Sequence, residues 1–320
     1  MLERLKRRIL YSRPFRSLIA WSQRLVLPGF AGFSVYAISR FFLRAIGEGH
    51  LITRASAIAF KLFMALFPAI IVLLTLIPFV PIAEFQEKLM GNLEELMPAE
   101  VFRFVESTLE DLVVKKHSTL LSVSFLLGLY FASNSVDAIL NGFSESSQHD
   151  TWHNPLKQRL LSMGLLLALT LMSVVAILLL TVSGSVITWA DAHGLLPGDL
   201  TVFGLQLARW VISMLLVLGA FSLLYYAGDP MAKRFRFFTP GAILATFLFI
   251  IVSQALAYFF SNFTDYNALY GSIGAILAVQ LWLYLNMLVL LVGYELNTSI
   301  SRARRSRSSE LRVRRDQGVA

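Results

Sequence analysis

The stretch "RASAIAFKLFMALFPAIIVLLTLIPFVP", Arg54 to Pro81, decides the fold. It is almost wholly apolar. It exceeds the roughly 20 residues that a helix needs to cross about 30 Å of hydrocarbon. Two of its residues are costly there. Lys61 carries a charge, and Pro68 removes a backbone donor in mid-helix.

The rest of the chain agrees with a membrane setting. Of 320 residues, 56% are hydrophobic and only 15% are charged, where soluble domains carry about 25% charged residues. Six apolar spans can be marked, at about 55–80, 118–141, 160–188, 203–228, 240–261 and 270–299. Each is apolar all round, as a lipid-embedded helix should be. The fifth opens at Pro240 after Thr239, a good first-turn residue behind a good cap. The fold class is therefore all-α: a polytopic integral membrane protein built as a six-helix transmembrane bundle. No cysteine is present, so disulfides and thiolate chemistry are excluded.

The net charge of +8 is distributed unevenly. Cations crowd the first 54 residues, the loops after spans two and four (Lys157 and Arg159; Lys233, Arg234 and Arg236), and the tail from Arg302 to Arg315. The alternate connections 189–202 and 262–269 hold none. This is the positive-inside pattern, and it places both termini in the cytoplasm of a bacterial inner membrane. The basic start has no apolar run ahead of a cleavage site, so no removable signal peptide is expected. Three regions follow: a basic arm 1–31, a six-span membrane domain 32–300 and a basic tail 301–320. Residues 32–47 suit an amphipathic helix lying in the cytoplasmic interface. Residues 82–114, split by Pro98, suit a helical hairpin on the outer face, acidic toward water.

Four phrases resemble the YihY/virulence factor BrkB family of bacterial inner-membrane proteins. They are "ASAIAFKLFMALFPAIIVLL" (Ala55 to Leu74), "SVDAILN" (Ser135 to Asn141), "LLYYAGDP" (Leu223 to Pro230) and "YGSIGAILAVQLWLYLNMLVLLVGYELN" (Tyr270 to Asn297). The resemblance implies six transmembrane helices, as the charge pattern does independently. It implies no settled activity. Members have carried the label ribonuclease BN, here treated as a misnomer, and proposals for relatives centre on the cell envelope, including lipid movement. Lys61 departs from the aromatic or small polar residue more usual there.

Ionisable residues inside spans are rare and default to a functional reading. The topology places Lys61, Asp137 and Glu295 at similar depth in the inner-leaflet half. Tyr130, Asn134, Asp137 and Asn141 share one helical face, as do Gln280, Tyr284, Leu291 and Glu295. These faces are expected to meet near Lys61 and to line a polar cavity for a lipid headgroup or an ion. The structural alternative has Lys61 snorkelling to the headgroups, and Asp137, Asn134 and Asn141 as interhelical hydrogen-bonding groups. Pro68 is expected to kink span one. The small residues Gly271, Gly274, Ala275 and Ala278 would let a neighbouring helix approach.

Other signals fail. His149 and His153 have the spacing of a metal pair on a helix but lack a third ligand, so no metal and no cofactor is expected. No phosphate-binding loop and no G-x-S-x-G is present, so no enzyme motif appears. The leading function is handling or transport of an envelope lipid or other amphiphile. The expected partners are membrane lipids, with anionic lipids at the basic termini, and no nucleic acid. The alternatives are a scaffold that docks an envelope protein through 82–114, and a membrane-bound nuclease.

Overall fold

The computed structural model describes residues 23–26, 32–48, 50–79, 86, 90–91, 99–147, 154–193, 199–230, 232, 234–262 and 264–316. Among them there is no strand. Helix α1 spans Val35–Glu48 and opens at Ser34, whose Oγ accepts a hydrogen bond from the Ala37 amide (3.3 Å). A corner at His50, held at φ 46°, leads into α2, Leu51–Leu76. A short 3₁₀ turn, Ile77–Phe79, ends that span. Then come α3 (Ala99–Val114), α4 (Ser118–Ser147), α5 (Pro155–Ala192), α6 (Asp199–Ala227), α7 (Pro240–Asn262) and α8 (Thr264–Asp316). Thr239 caps α7 by accepting from the Ala242 amide at 3.2 Å. Of the expected hairpin, α3 is the second arm; most of 82–97 lies outside the described residues.

Six of these helices are long and apolar enough to cross a membrane. They form a closed ring in which α2 packs on α4, α4 on α5, α5 on α6, α6 on α7, α7 on α8 and α8 back on α2. Helix α8 continues from its span into the basic tail without a break. No glycine or proline interrupts residues 294–317, so nothing in the sequence stops it. Ile38 of α1 is buried against Ile300 and Ala303 on this extension. The face on which α2 begins and α8 leaves also carries Arg40, Arg234, Arg236, Arg302, Arg304 and Arg305; it is called the basic face here.

The core is not spread evenly through the bundle. Near the basic face Ala55, Leu140, Phe143, Ala242, Ala245 and Leu291 are fully buried. Helices α7 and α8 touch there backbone to backbone: a Cβ on Gly241 would strike the Gly293 carbonyl, and one on Gly293 would come within 2.8 Å of Ala245. A close crossing therefore lies at Gly241, Ala245 and Gly293; of the expected small residues Gly274 is buried, Ala278 half-buried and Ala275 exposed. Pro68 leaves α2 continuous and is buried, with Gly128 of α4 packed on its ring.

Toward the opposite face Thr75 of α2, Val113 of α3 and Ser124 of α4 are still buried, and the packing loosens at α6. On α6, six successive residues from Phe203 to Ala208 are all exposed. Six residues sweep more than one full turn, so exposed side chains leave that segment in every direction.

Candidate functional site

Helix α2 starts at Leu51, one turn earlier than its apolar run suggests, which brings Arg54 inside the helix. Its side chain is 6% exposed and points between α4 and α8. Nη2 donates to Glu295 Oε1 at 3.1 Å, and Nη1 donates to the Gly142 carbonyl at 2.6 Å. Glu295 is 1% exposed. Gly142 makes the approach possible, because a Cβ there would meet Ile58 at 3.0 Å and Leu291 at 3.4 Å. The carbonyl belongs to the last turns of α4, where the helix dipole favours a cation. One guanidinium thus joins three spans.

A second polar cluster lies on another side of α4. Gln158 Nε2, from the start of α5, donates to Asp137 Oδ1 at 2.7 Å and to Asn141 Oδ1 at 2.8 Å. Asn141 Nδ2 donates in turn to Asp137 Oδ2 at 3.0 Å. Asn141 and Gly142 are sequence neighbours, yet about 100° apart around the helix, so they serve different neighbours.

The expected meeting at Lys61 does not occur. Glu295 pairs with Arg54, and Asp137 faces α5. Lys61 lies two turns further along α2, about 10 Å away by helical rise. It is half-buried and makes no ion pair among the described residues. Asn134 and Tyr284 are half-buried, and neither makes a side-chain hydrogen bond to the described residues. Tyr130 is exposed, with the Arg159 guanidinium 5.4 Å from its ring centre.

Next to the Arg54 cluster sits an aromatic plug. Phe143 stacks on Tyr294 at 4.1 Å and meets Tyr225 edge-on at 5.8 Å. The Tyr225 hydroxyl donates to the Leu290 carbonyl (2.8 Å), and that of Tyr294 to the Gly228 carbonyl (2.7 Å). A cavity of about 450 Å³ opens on the basic-face side of this plug, between the α6–α7 connection and α8. Tyr225, Tyr294 and Asn297 line it; Lys61, Asn134, Asp137, Asn141, Tyr284 and Glu295 do not. Among the described residues no three His, Cys, Asp or Glu side chains converge as a metal-ligand set. His149 and His153 lie outside those residues.

A family model described as Virulence factor BrkB matches residues 42–317. The chain belongs to this family. A BrkB relative from Bacillus subtilis, named "Putative ribonuclease-like protein YfkH", is 30% identical over 79% of this chain and 91% of its own length. A UPF0761 membrane protein of Mannheimia succiniciproducens is 22% identical over 83% of this chain and 90% of its own. Another, from Pseudoalteromonas translucida, is 32% identical over 37% of each. No solved structure matches the chain. Parts of three of the phrases that carry the BrkB resemblance meet at the basic face: Asp137 and Asn141, Tyr225 to Asp229, and Tyr294 to Asn297 lie within or beside the two clusters and the plug.

Sequence reasoning missed Arg54, Gln158, Tyr225 and Tyr294. Arg54 was counted among the flanking cations, because the apolar run starts after it. Gln158 stands in the short polar lead-in to span three. Tyr225 and Tyr294 stand inside two of the phrases that resemble the family, with no role assigned to them there. Only the position of Arg54, one turn outside a run that holds a conspicuous lysine, offered a signal.

Proposed function

We propose that this BrkB-family protein handles or transports a lipid or other amphiphile in the bacterial inner membrane, with its basic face toward the cytoplasm. The observation that carries the reading is the asymmetry of the ring. The half near the basic face is sealed by the Arg54–Glu295 pair and the Phe143 plug, whereas toward the other face α6 alone, beside a packed α2–α3–α4 corner, exposes its apolar surface. An amphiphile needs both an apolar wall for its chains and a polar station for its head. The Asp137–Asn141–Gln158 cluster supplies polar groups near the basic face, and Lys61 supplies one about two turns deeper along α2. Passage would require the Arg54–Glu295 contact to part, which restricts movement to states in which both charges find another partner.

On this reading the chain is not an enzyme. The name ribonuclease-like belongs to the Bacillus subtilis relative, and phosphodiester cleavage needs a ligand set for a metal or an equivalent acid–base pair. The test is reconstitution of the full chain in vesicles that carry fluorescent phospholipids in both leaflets. Protein-dependent access of a membrane-impermeant quencher to the inner-leaflet dye, lost in Asp137→Asn, is expected. Folded protein that moves no lipid overturns the reading, and RNA cleavage that copurifies with the chain would replace it.

A further inference from the structure

The cavity on the basic face has a composition that its surroundings do not require. Five arginines line it: Arg234 and Arg236 from the α6–α7 connection, and Arg302, Arg304 and Arg305 from the extension of α8. The two groups are separated by more than 60 residues and are brought together only by folding. Among the described lining residues one carboxylate, Asp229, accompanies these five guanidinium groups; Asp229, Arg302, Arg304 and Arg305 also make interactions of their own within the protein. A positive-inside signal needs cations near a membrane surface; it does not need them gathered around a hollow.

The rest of the lining fits an anion. Thr239 and Pro240 place the N-terminal end of α7 at the wall; the Gly241 and Ala242 amides are taken by Asn297 Oδ1 and Thr239 Oγ1, so the helix contributes its dipole and no free donor there. Tyr225 and Tyr294 form the floor, and their hydroxyls are already committed to the Leu290 and Gly228 carbonyls. The floor therefore adds an amphipathic surface without adding negative charge. At about 450 Å³, the cavity lies within the range of roughly 300–1,000 Å³ typical of small-molecule sites.

We propose that this cavity is a binding site for a phosphate group. Guanidinium groups match phosphate oxygens in bidentate fashion, and several can share one dianion. The phosphate could be the headgroup of an anionic phospholipid in the adjacent leaflet or belong to a soluble phosphate compound. Both present the same oxygens. The site does not depend on transport: it would exist in a protein that moves nothing.

The experiment compares two double variants of the full chain with equal change in charge. Arg236→Gln with Arg304→Gln removes two cavity arginines; Arg24→Gln with Arg40→Gln removes two arginines outside the lining. In one arm, thermal unfolding in neutral detergent is titrated with inorganic phosphate against chloride at matched ionic strength. In the other, unfolding is followed in nanodiscs of phosphatidylcholine with and without phosphatidic acid. Stabilisation of the wild type and the outer-arginine variant is expected, with the cavity variant weakened about tenfold for each arginine lost. A response in the phosphatidic acid arm alone assigns a lipid headgroup; a response in the phosphate arm alone assigns a soluble ligand. Equal weakening of both variants, or no phosphate-specific stabilisation in either arm, overturns the site. Should the glutamine pair fail to fold, Arg236→Lys with Arg304→Lys keeps the charge and removes the fork. That pair should bind more weakly than wild type, and unchanged binding would equally refute a guanidinium-built site.

Discussion

The basic-face half of the ring and the far end of α6 use the same kinds of residue and reach opposite results. Near the basic face, Leu291 is 0% exposed and Gly293 lies against Gly241. Toward the other face, Leu207 is 52% exposed on a segment whose exposed side chains point in every direction. Both are apolar, so hydrophobicity does not separate them. The difference is small residues that a neighbouring backbone meets, together with buried polar contacts; Gly204 and Ala208 on α6 have no such neighbour. Lipid is as apolar as leucine, so helices in a membrane gain little by burying leucine alone; they associate where backbones can approach and polar groups can pair. The half near the basic face has Gly142, Gly241 and Gly293, the Arg54–Glu295 pair and the tyrosine bonds. The described part of α6 toward the opposite face has Phe203, Leu205, Leu207 and Trp210, which fill space beside a helix and keep a neighbour away.

Substitutions can break this contrast. The largest effect is expected from Gly293→Val, since any Cβ there collides with Gly241, Ala245 and the Tyr225 hydroxyl. No folded protein should be recovered on size-exclusion chromatography. Glu295→Ala leaves the Arg54 charge buried and should cost about 3–5 kcal/mol in unfolding measured by detergent titration. Exchanging the pair, Arg54→Glu with Glu295→Arg, should recover part of that loss if attraction, rather than the shape of either side chain, holds the spans.

Matched leucines sharpen the contrast. Leu291→Ala opens a cavity in the sealed half and should cost about 2–4 kcal/mol. Leu207→Ala at the exposed end of α6 should cost less than about 0.5 kcal/mol, as surface changes do. Equal costs would mean that α6 is packed in the membrane-embedded protein. Tyr225→Phe removes one hydrogen bond to the Leu290 carbonyl and should cost about 1 kcal/mol by the same titration.

The smallest effect belongs to the corner between α3 and α4, outside the spans. The hydrogen bond from Lys115 to Asp111 (2.7 Å), together with the Lys115 charge and that of His117, holds the Asp111 carboxyl below its ordinary 3.8 despite some desolvation. A carboxyl lowered by folding stabilises above its unfolded pKa and loses that contribution as pH falls through the folded value. Lys115 is raised in turn by Asp111, so its share is lost only as pH rises through the alkaline range. Both side chains are exposed, so solvent screens the pair strongly. Thermal unfolding should be flat between about pH 5 and 8 and dip slightly below about pH 4. Asp111→Asn should remove the dip.

Much of the fold was legible because membrane physics leaves few options. A backbone in hydrocarbon must satisfy itself, so each long apolar run had to be a helix. The site was less legible. Depth along a helix follows from counting residues, and Lys61, Asp137 and Glu295 were placed at similar depth on that basis. Direction around the bundle does not follow. Asp137 turned to Gln158 on α5 and Glu295 to Arg54 on α2, because each helix can orient only one side toward each neighbour.

The sequence by itself determined six spans, their uneven charge and the family, because these depend on composition and order along one chain. Only the tertiary structure decided that Arg54 rather than Lys61 meets Glu295, that five arginines line one cavity, and that the basic-face half closes while the far end of α6 stays exposed. Those outcomes depend on which helices are neighbours and how each is rotated. In a membrane, where every helix is apolar all round, rotation is set by a few small and polar residues acting across helices, and no periodicity within one helix reports it.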